Sequence, residues 1–212
     1  MKKIILICSI LISSLGFAQN NNSAKALLTE VSIKVKSYKN ISIDFKYVLD
    51  NTKENIHQET RGDVVMSGDK YRLNILGLTR IFDGNKLYSI SPEDEEVSIS
   101  KEDETEATIT PSRMLSFYED GYTYKMDIIQ NVRGRKIQYV KLTPIDSNSE
   151  IKYILLGIDN NTKHIYNLIE MGKNDTKTTL TVNSFKTNET LSKTLFTFDA
   201  SKYSDYYINN LD

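Results

Sequence analysis

Between Arg61 and Pro92 the chain reads RGDVVMSGDKYRLNILGLTRIFDGNKLYSISP. Val64 and Met66 alternate with Asp63 and Ser67, and Tyr71, Leu73 and Ile75 alternate with Arg72 and Asn74. Ile81 and Phe82 run into Asp83-Gly84, a strong hairpin signal, and Leu87 to Ile90 returns. A period of two places one apolar and one polar row on each strand, so the stretch predicts a meander of three or four strands with a greasy face. The rest of the chain must extend that sheet or cover the face.

Alternation recurs on both sides of the meander. Ile41, Ile43, Phe45, Tyr47 and Leu49 form one strand, Ile56 to Ser67 the next, and Val97 to Ile99 a short one. After residue 121, strands are predicted at Tyr122–Ile128, Ile137–Thr143, Ile151–Ile158, His164–Met171 and Thr176–Phe185, with Phe196–Phe198 closing an edge. Turns fall at Arg133-Gly134, at Asp159–Thr162 and at Gly172–Asp175. The fold class is mainly β (α+β). About eleven antiparallel strands make a sheet too large to lie flat, so it should curl into an unclosed barrel.

Two segments break the period. Ala24, Leu27, Leu28, Val31, Val35 and Tyr38 recur at helical spacing, with Ser23 as the expected N-cap and an end near Asn40. Thr110-Pro111 reads as a second helix start, leading into Ser112–Glu119 with Met114 and Leu115. Neither has a helical partner nearby, so both should lie as a lid on the concave apolar face.

Residues 1–18 have the form of a secretory signal peptide: Lys2 and Lys3, an apolar run from Ile4 to Phe17, and a small-x-small end at Gly16 and Ala18. Cleavage after Ala18 removes Cys8, the one cysteine, and moves the formal charge from −1 to −3. The remaining 194 residues suffice for one domain, 19–212, expected in the periplasm, with no thiol chemistry and no basic stripe for nucleic acid.

No motif carries catalysis or a metal. His57 and His164 lie in separate predicted strands without ligand spacing, and there is no G-x-S-x-G elbow and no phosphate-cradling glycine loop. The chain is read as a non-enzyme without cofactor. A hydrolase would need a Ser, His or acid cluster gathered inside the cleft. From Glu93 to Glu106 eight acids face one lysine, a solvated run without calcium-loop grammar. A curled sheet under helices makes an apolar concavity of the kind that binds ligands, and a filled core is the plainer alternative.

The order of motifs resembles the outer-membrane lipoprotein carrier (LolA) family. The amphipathic helix precedes the I-x-I-D-F-x-Y pattern at Ile41–Tyr47. Next come Arg61–Met66 and Lys70–Leu73, then Ile81–Pro92, similar to the family's I-x-D-G-K-x-L-W-x-Y-x-P. Thr110-Pro111 stands where the family has its lid helix, and Leu142–Pro144, Ile158-Asp159 with Ile165, Phe185, Asn188 and Phe196–Phe198 follow in register. The resemblance implies an unclosed barrel with a helical lid, a cavity for lipoprotein acyl chains, and transport from inner to outer membrane. It implies cargo received from an inner-membrane ABC-type releasing complex, an outer-membrane acceptor, no cofactor and a monomer. The lining residues expected are Leu28, Val31, Phe45, Tyr47, Val65, Tyr71, Leu73, Tyr88, Ile90, Met114 and Leu115, the inward parity of each strand being chosen without a constraint. The family's lysine-arginine-proline is replaced by Ser67-Gly68-Asp69, which leaves lid locking without its usual residue. Another amphiphile as cargo, or an envelope sensor docking a protein partner through Glu93–Glu106, fits the same fold.

Overall fold

The computed structural model describes residues 21–101 and 115–211. The expected signal peptide with Cys8, the Thr110-Pro111 helix start, Met114 and the acids from Glu102 to Glu106 lie outside the described residues. A helix, α1, covers residues 21–36. It is already helical before Ser23, so Ser23 sits inside the first turns and does not cap them.

Twelve strands follow: β1 (Ile41–Asn51), β2 (Ile56–Ser67), β3 (Lys70–Ile75), β4 (Leu78–Phe82), β5 (Leu87–Ser91), β6 (Glu96–Ser100), β7 (Tyr122–Val132), β8 (Arg135–Pro144), β9 (Ile151–Asp159), β10 (Ile165–Gly172), β11 (Lys177–Thr187) and β12 (Tyr207–Asn210). They form one sheet in the order β12-β6-β5-β4-β3-β2-β1-β11-β10-β9-β8-β7. Every pairing is antiparallel except β12 on β6, and the terminal strands β12 and β7 do not pair with each other, so the barrel is unclosed.

Local chemistry sets the turns. At the β4–β5 connection Asp83 Oδ1 accepts the Asn85 and Lys86 amides, each at 2.8 Å, while Gly84 takes φ +96°. The β3–β4 connection is the two-residue Leu76-Gly77, both at positive φ, a conformation usually given to Asn-Gly.

The register divides the meander into two faces. Met66, Tyr71, Phe82 and Leu87 follow Ile41 in one row across β1–β5, and Ser42, Val65, Arg72, Ile81, Tyr88 and Ile99 form the neighbouring row on the opposite face. The first face meets Ala24, Leu27, Leu28 and Val31 of α1 in the main core. On the other, Ile81, Ile90 and Val97 form a second core with Tyr88, Phe198, Tyr203 and Tyr206. Phe196–Phe198 is therefore not an edge strand. Phe198 stacks on Tyr88 (4.7 Å between centroids) and on Tyr203 (5.4 Å), and the edge is supplied by β12.

Where the second lid helix is expected, the described part is a turn at Leu115-Ser116 and a 3-10 turn over Phe117–Glu119. Leu115 and Tyr118 are buried in the main core beside α1.

Candidate apolar face and its cover

On β1 the inward positions pass from buried at Ile41, Ile43 and Phe45 to half-buried at Tyr47 and Leu49. Two rows cross the sheet at that half-buried end. One runs Tyr47, Leu180, Leu168, Leu156, Val140 and Met126; the next runs Leu49, Thr178, Glu170, Ile154, Leu142 and Tyr124. Leu156, Val140, Ile154 and Leu142 are buried, whereas Tyr47, Leu168 and Leu180 remain half-exposed. The concave face is thus sealed under α1 and Leu115–Glu119, and continues as a band of half-covered apolar side chains.

Under the helix the apolar stripe is buried against the sheet: Ala24 and Val31 are fully buried, and Leu28 is 4% exposed. Two clefts open beside the helix. One, about 340 Å³, is lined by Lys25, Leu28, Thr29 and Ser32 of α1 with Tyr118, Glu119, Asp120 and Tyr124. The other, about 360 Å³, lies between Val35, Lys36 and Tyr38 on one side and Ile41, Met66, Gly68, Asp69 and Leu115 on the other.

Polar contacts at the rim hold the cover. Ser32 Oγ donates to Glu119 Oε1 at 2.5 Å and Lys36 Nζ to the same oxygen at 2.8 Å. These two donors hold the Glu119 carboxyl below the usual range. Lys163 pairs with Glu30 of α1 at 2.9 Å. Past the helix end, the Tyr38 hydroxyl meets His164 Nε2 at 2.8 Å, and the His164 ring stacks on Phe185 at 4.1 Å. Burial, and then Lys34, push the His164 pKa below its ordinary 6.5.

Of the residues expected to line a cavity, the structure brings Leu28, Val31, Phe45, Tyr71 and Leu115 together in the core, with Tyr47 and Leu73 packed at its margin. Val65, Tyr88 and Ile90 lie on the opposite face, because hairpin register makes Val64, Met66 and Leu87 the inward residues. Tyr88 and Ile90 pack under the C-terminal segment.

Glu170 was not singled out in the sequence. It sits on the concave face between Ile154 and Thr178, and burial pushes its carboxyl above the ordinary value. Its parity is hidden in the sequence because Ile169 and Met171, on the other face, are also apolar.

The histidines are not gathered into a cluster. His57 contacts Asp50 at 2.5 Å at an exposed hairpin end, and neither histidine lines either cleft. Among the described residues no group of three or more His, Cys, Asp or Glu is placed to hold a metal. Glu93 to Glu95 form the exposed turn between β5 and β6, and the Tyr207 amide donates to the Glu95 carbonyl.

Comparison with known proteins bears on this fold. An uncharacterized conserved protein from Thermus thermophilus superposes with a TM-score of 0.60 at 10% identity, covering 89% of this chain and 99% of its own. LprF from Mycobacterium bovis gives 0.52 at 11% identity, over 81% of this chain and 97% of its own. A LolA superfamily protein from Nitrosomonas europaea gives 0.44 at 12% identity, over 83% and 98%. No curated protein sequence matches the chain. The model of the outer membrane lipoprotein carrier protein LolA matches residues 36–199, from the end of α1 to the residue before the 3-10 turn at Ala200–Tyr203. The chain belongs to the LolA family.

Proposed function

We propose that this protein is a periplasmic carrier that shields the acyl chains of lipoproteins on its concave face and ferries them from the inner to the outer membrane. It performs no chemistry of its own. Cargo comes from an inner-membrane ABC-type releasing complex and leaves to an outer-membrane acceptor. The observation that carries this reading is a largely apolar concave face half-covered by one helix and a short turn segment, with polar contacts at the rim of that cover.

The magnitudes suit a carrier that loads and unloads without consuming ATP itself. A fully buried chain of roughly 16 carbons gains about 12 kcal/mol at about 0.8 kcal/mol per methylene. Leu27, Leu28 and Val31 together gain roughly 5–9 kcal/mol from their burial. A tail that displaces α1 therefore offsets what those three helix residues lose, and unloading lets the helix return. Loading and release become a near-balanced exchange of two apolar covers, which differential affinity at each membrane can tip.

Leu28, Val31, Phe45, Tyr47, Tyr71, Leu73 and Leu115 are the residues proposed to contact the tail. The test is titration of the purified protein with a fluorescent di-acylated peptide and its unacylated counterpart. Saturable, stoichiometric uptake of the acylated form alone is expected, weakened about tenfold by Leu73→Asp through the cost of a charge on the apolar face. Equal behaviour of the two peptides removes the proposal.

A further inference from the structure

The carrier reading leaves one buried-side acid without a task. Within the two rows that cross β1, β11, β10, β9, β8 and β7 on the concave face, Glu170 is the one charged side chain. Its neighbours in the row are Ile154 and Thr178; Ile154 and, one strand beyond it, Leu142 are fully buried apolar residues, and Leu168 precedes Glu170 on the same side of β10. Three acids at the rim and turns are matched to partners: Glu119 to Ser32 and Lys36, Asp159 to Arg135, Glu30 to Lys163. Among the described residues no cation is paired with Glu170. Its electrostatic neighbour is the Tyr122 side chain at the start of β7.

A carboxylate set into an apolar wall lowers stability unless something neutralises or hydrogen-bonds it. A tail alone has nothing to offer it. The polar junction of an amphiphile does, provided that junction carries a hydrogen-bond donor. The geometry points to Glu170 as the residue that reads the head of the cargo, selecting tails joined to a donor-bearing or cationic group (amide N–H, hydroxyl, ammonium) and rejecting tails that end in an anion. The inference rests on the carrier reading and deepens it. Leu168, Leu180 and Tyr47 would hold the first part of the tail, and Glu170 would fix how deep it sits.

Discrimination follows from the chemistry. A hydrogen bond to a charged group on a partly dry surface stabilises the pair, whereas two anions brought together there repel. A preference of at least about tenfold between matched probes is therefore expected.

The experiment uses three probes with one tail: dodecylammonium, N-dodecylacetamide and dodecanoate, titrated by calorimetry near pH 8 against the native protein, Glu170→Gln and Glu170→Lys. Circular dichroism checks that each variant is folded, and Glu170→Ala replaces any that is not. The native protein should bind dodecylammonium and the amide at least about tenfold more tightly than dodecanoate. Gln should bring the three within about threefold, and Lys should invert the order. If the native order persists unchanged in the variants, Glu170 does not read the head and the inference is wrong, while the carrier reading stands. If all three probes bind equally to the native protein, the inference fails in the same way. If none binds, the carrier reading fails and takes the inference with it.

Discussion

Gly62 lies opposite Phe45 in the β1–β2 ladder, and a Cβ built on it would stand 2.6 Å from Phe45 Cζ and 2.6 Å from the Asn74 carbonyl oxygen. The glycine lets the Phe45 ring fold flat over β2, where it is 4% exposed in the main core. The absent side chain is thus part of the packing. Gly62→Ala should lower stability by about 1–3 kcal/mol, as overpacking of a filled site does, read as a shift in the urea midpoint. Combining it with Phe45→Leu should cost less than the sum of the two single changes, since removing the ring relieves one of the two clashes. Additive losses would mean that Phe45 is not what the glycine accommodates. Such contacts are invisible in a one-dimensional pattern. The sequence marks Phe45 as inward through its alternation with Asp44 and Lys46, but nothing in R-G-D announces that the glycine lies beneath an aromatic ring.

Strands were legible wherever polar and apolar residues alternate, as in β1 and β3, because period two fixes both the element and its faces. Facing was illegible where both rows are apolar. Val64-Val65-Met66 and Leu87-Tyr88-Ser89-Ile90 fit either choice, and the hairpin registers put Val65, Tyr88 and Ile90 outward. The second core that buries Ile90 is completed by Phe198, Tyr203 and Tyr206, about a hundred residues downstream, a pairing that local pattern cannot carry. The α1 stripe was legible, and the anchor beyond its end was not. Tyr38 meets His164, and His164 stacks on Phe185, joining the helix end to β10 and β11. The charged groups that act on His164 are Lys34, Arg135 and Asp159; burial and the two cations lower its pKa, Asp159 partly offsetting them. A base depressed in the native state binds fewer protons there than in the unfolded chain, so stability is lost as pH falls from about 6.5 through the folded pKa. Urea midpoints measured from about pH 7.5 down to about pH 5 should fall more steeply for the native protein than for His164→Gln. Amide exchange at the C-terminal end of α1 should quicken over the same interval. Parallel slopes in the two proteins would show that the anchor does not titrate.

At the scale of the whole molecule the two faces of the sheet carry different covers. The C-terminal segment crosses the outer face and ends as β12 on β6, tying the last strand of the meander to the end of the chain. That cover is aromatic throughout, with Tyr88, Phe198 and Tyr203 in consecutive stacks. The inner cover has instead a small apolar stripe and a rim of exposed ion pairs, each worth less than about 1 kcal/mol, so it is the cover that the proposed carrier function requires to move. Residues 19–212 contain no cysteine, so the motion can be tested by a lock. Ser32→Cys and Glu119→Cys, at positions whose native side chains touch, can be joined by a short bis-maleimide containing a reducible disulfide. Fastened this way, α1 cannot leave the Leu115–Glu119 segment. Uptake of an acylated peptide should fall by at least about tenfold, matching the loss of a binding-competent population, and should return on reduction. The fastened protein should also melt at a higher temperature. Phe198→Ala, on the outer face, should lower the melting temperature while leaving uptake unchanged. Undiminished loading by the fastened protein would place the tail wholly on the half-covered band near Tyr47, Leu168 and Leu180, with α1 a permanent part of the wall.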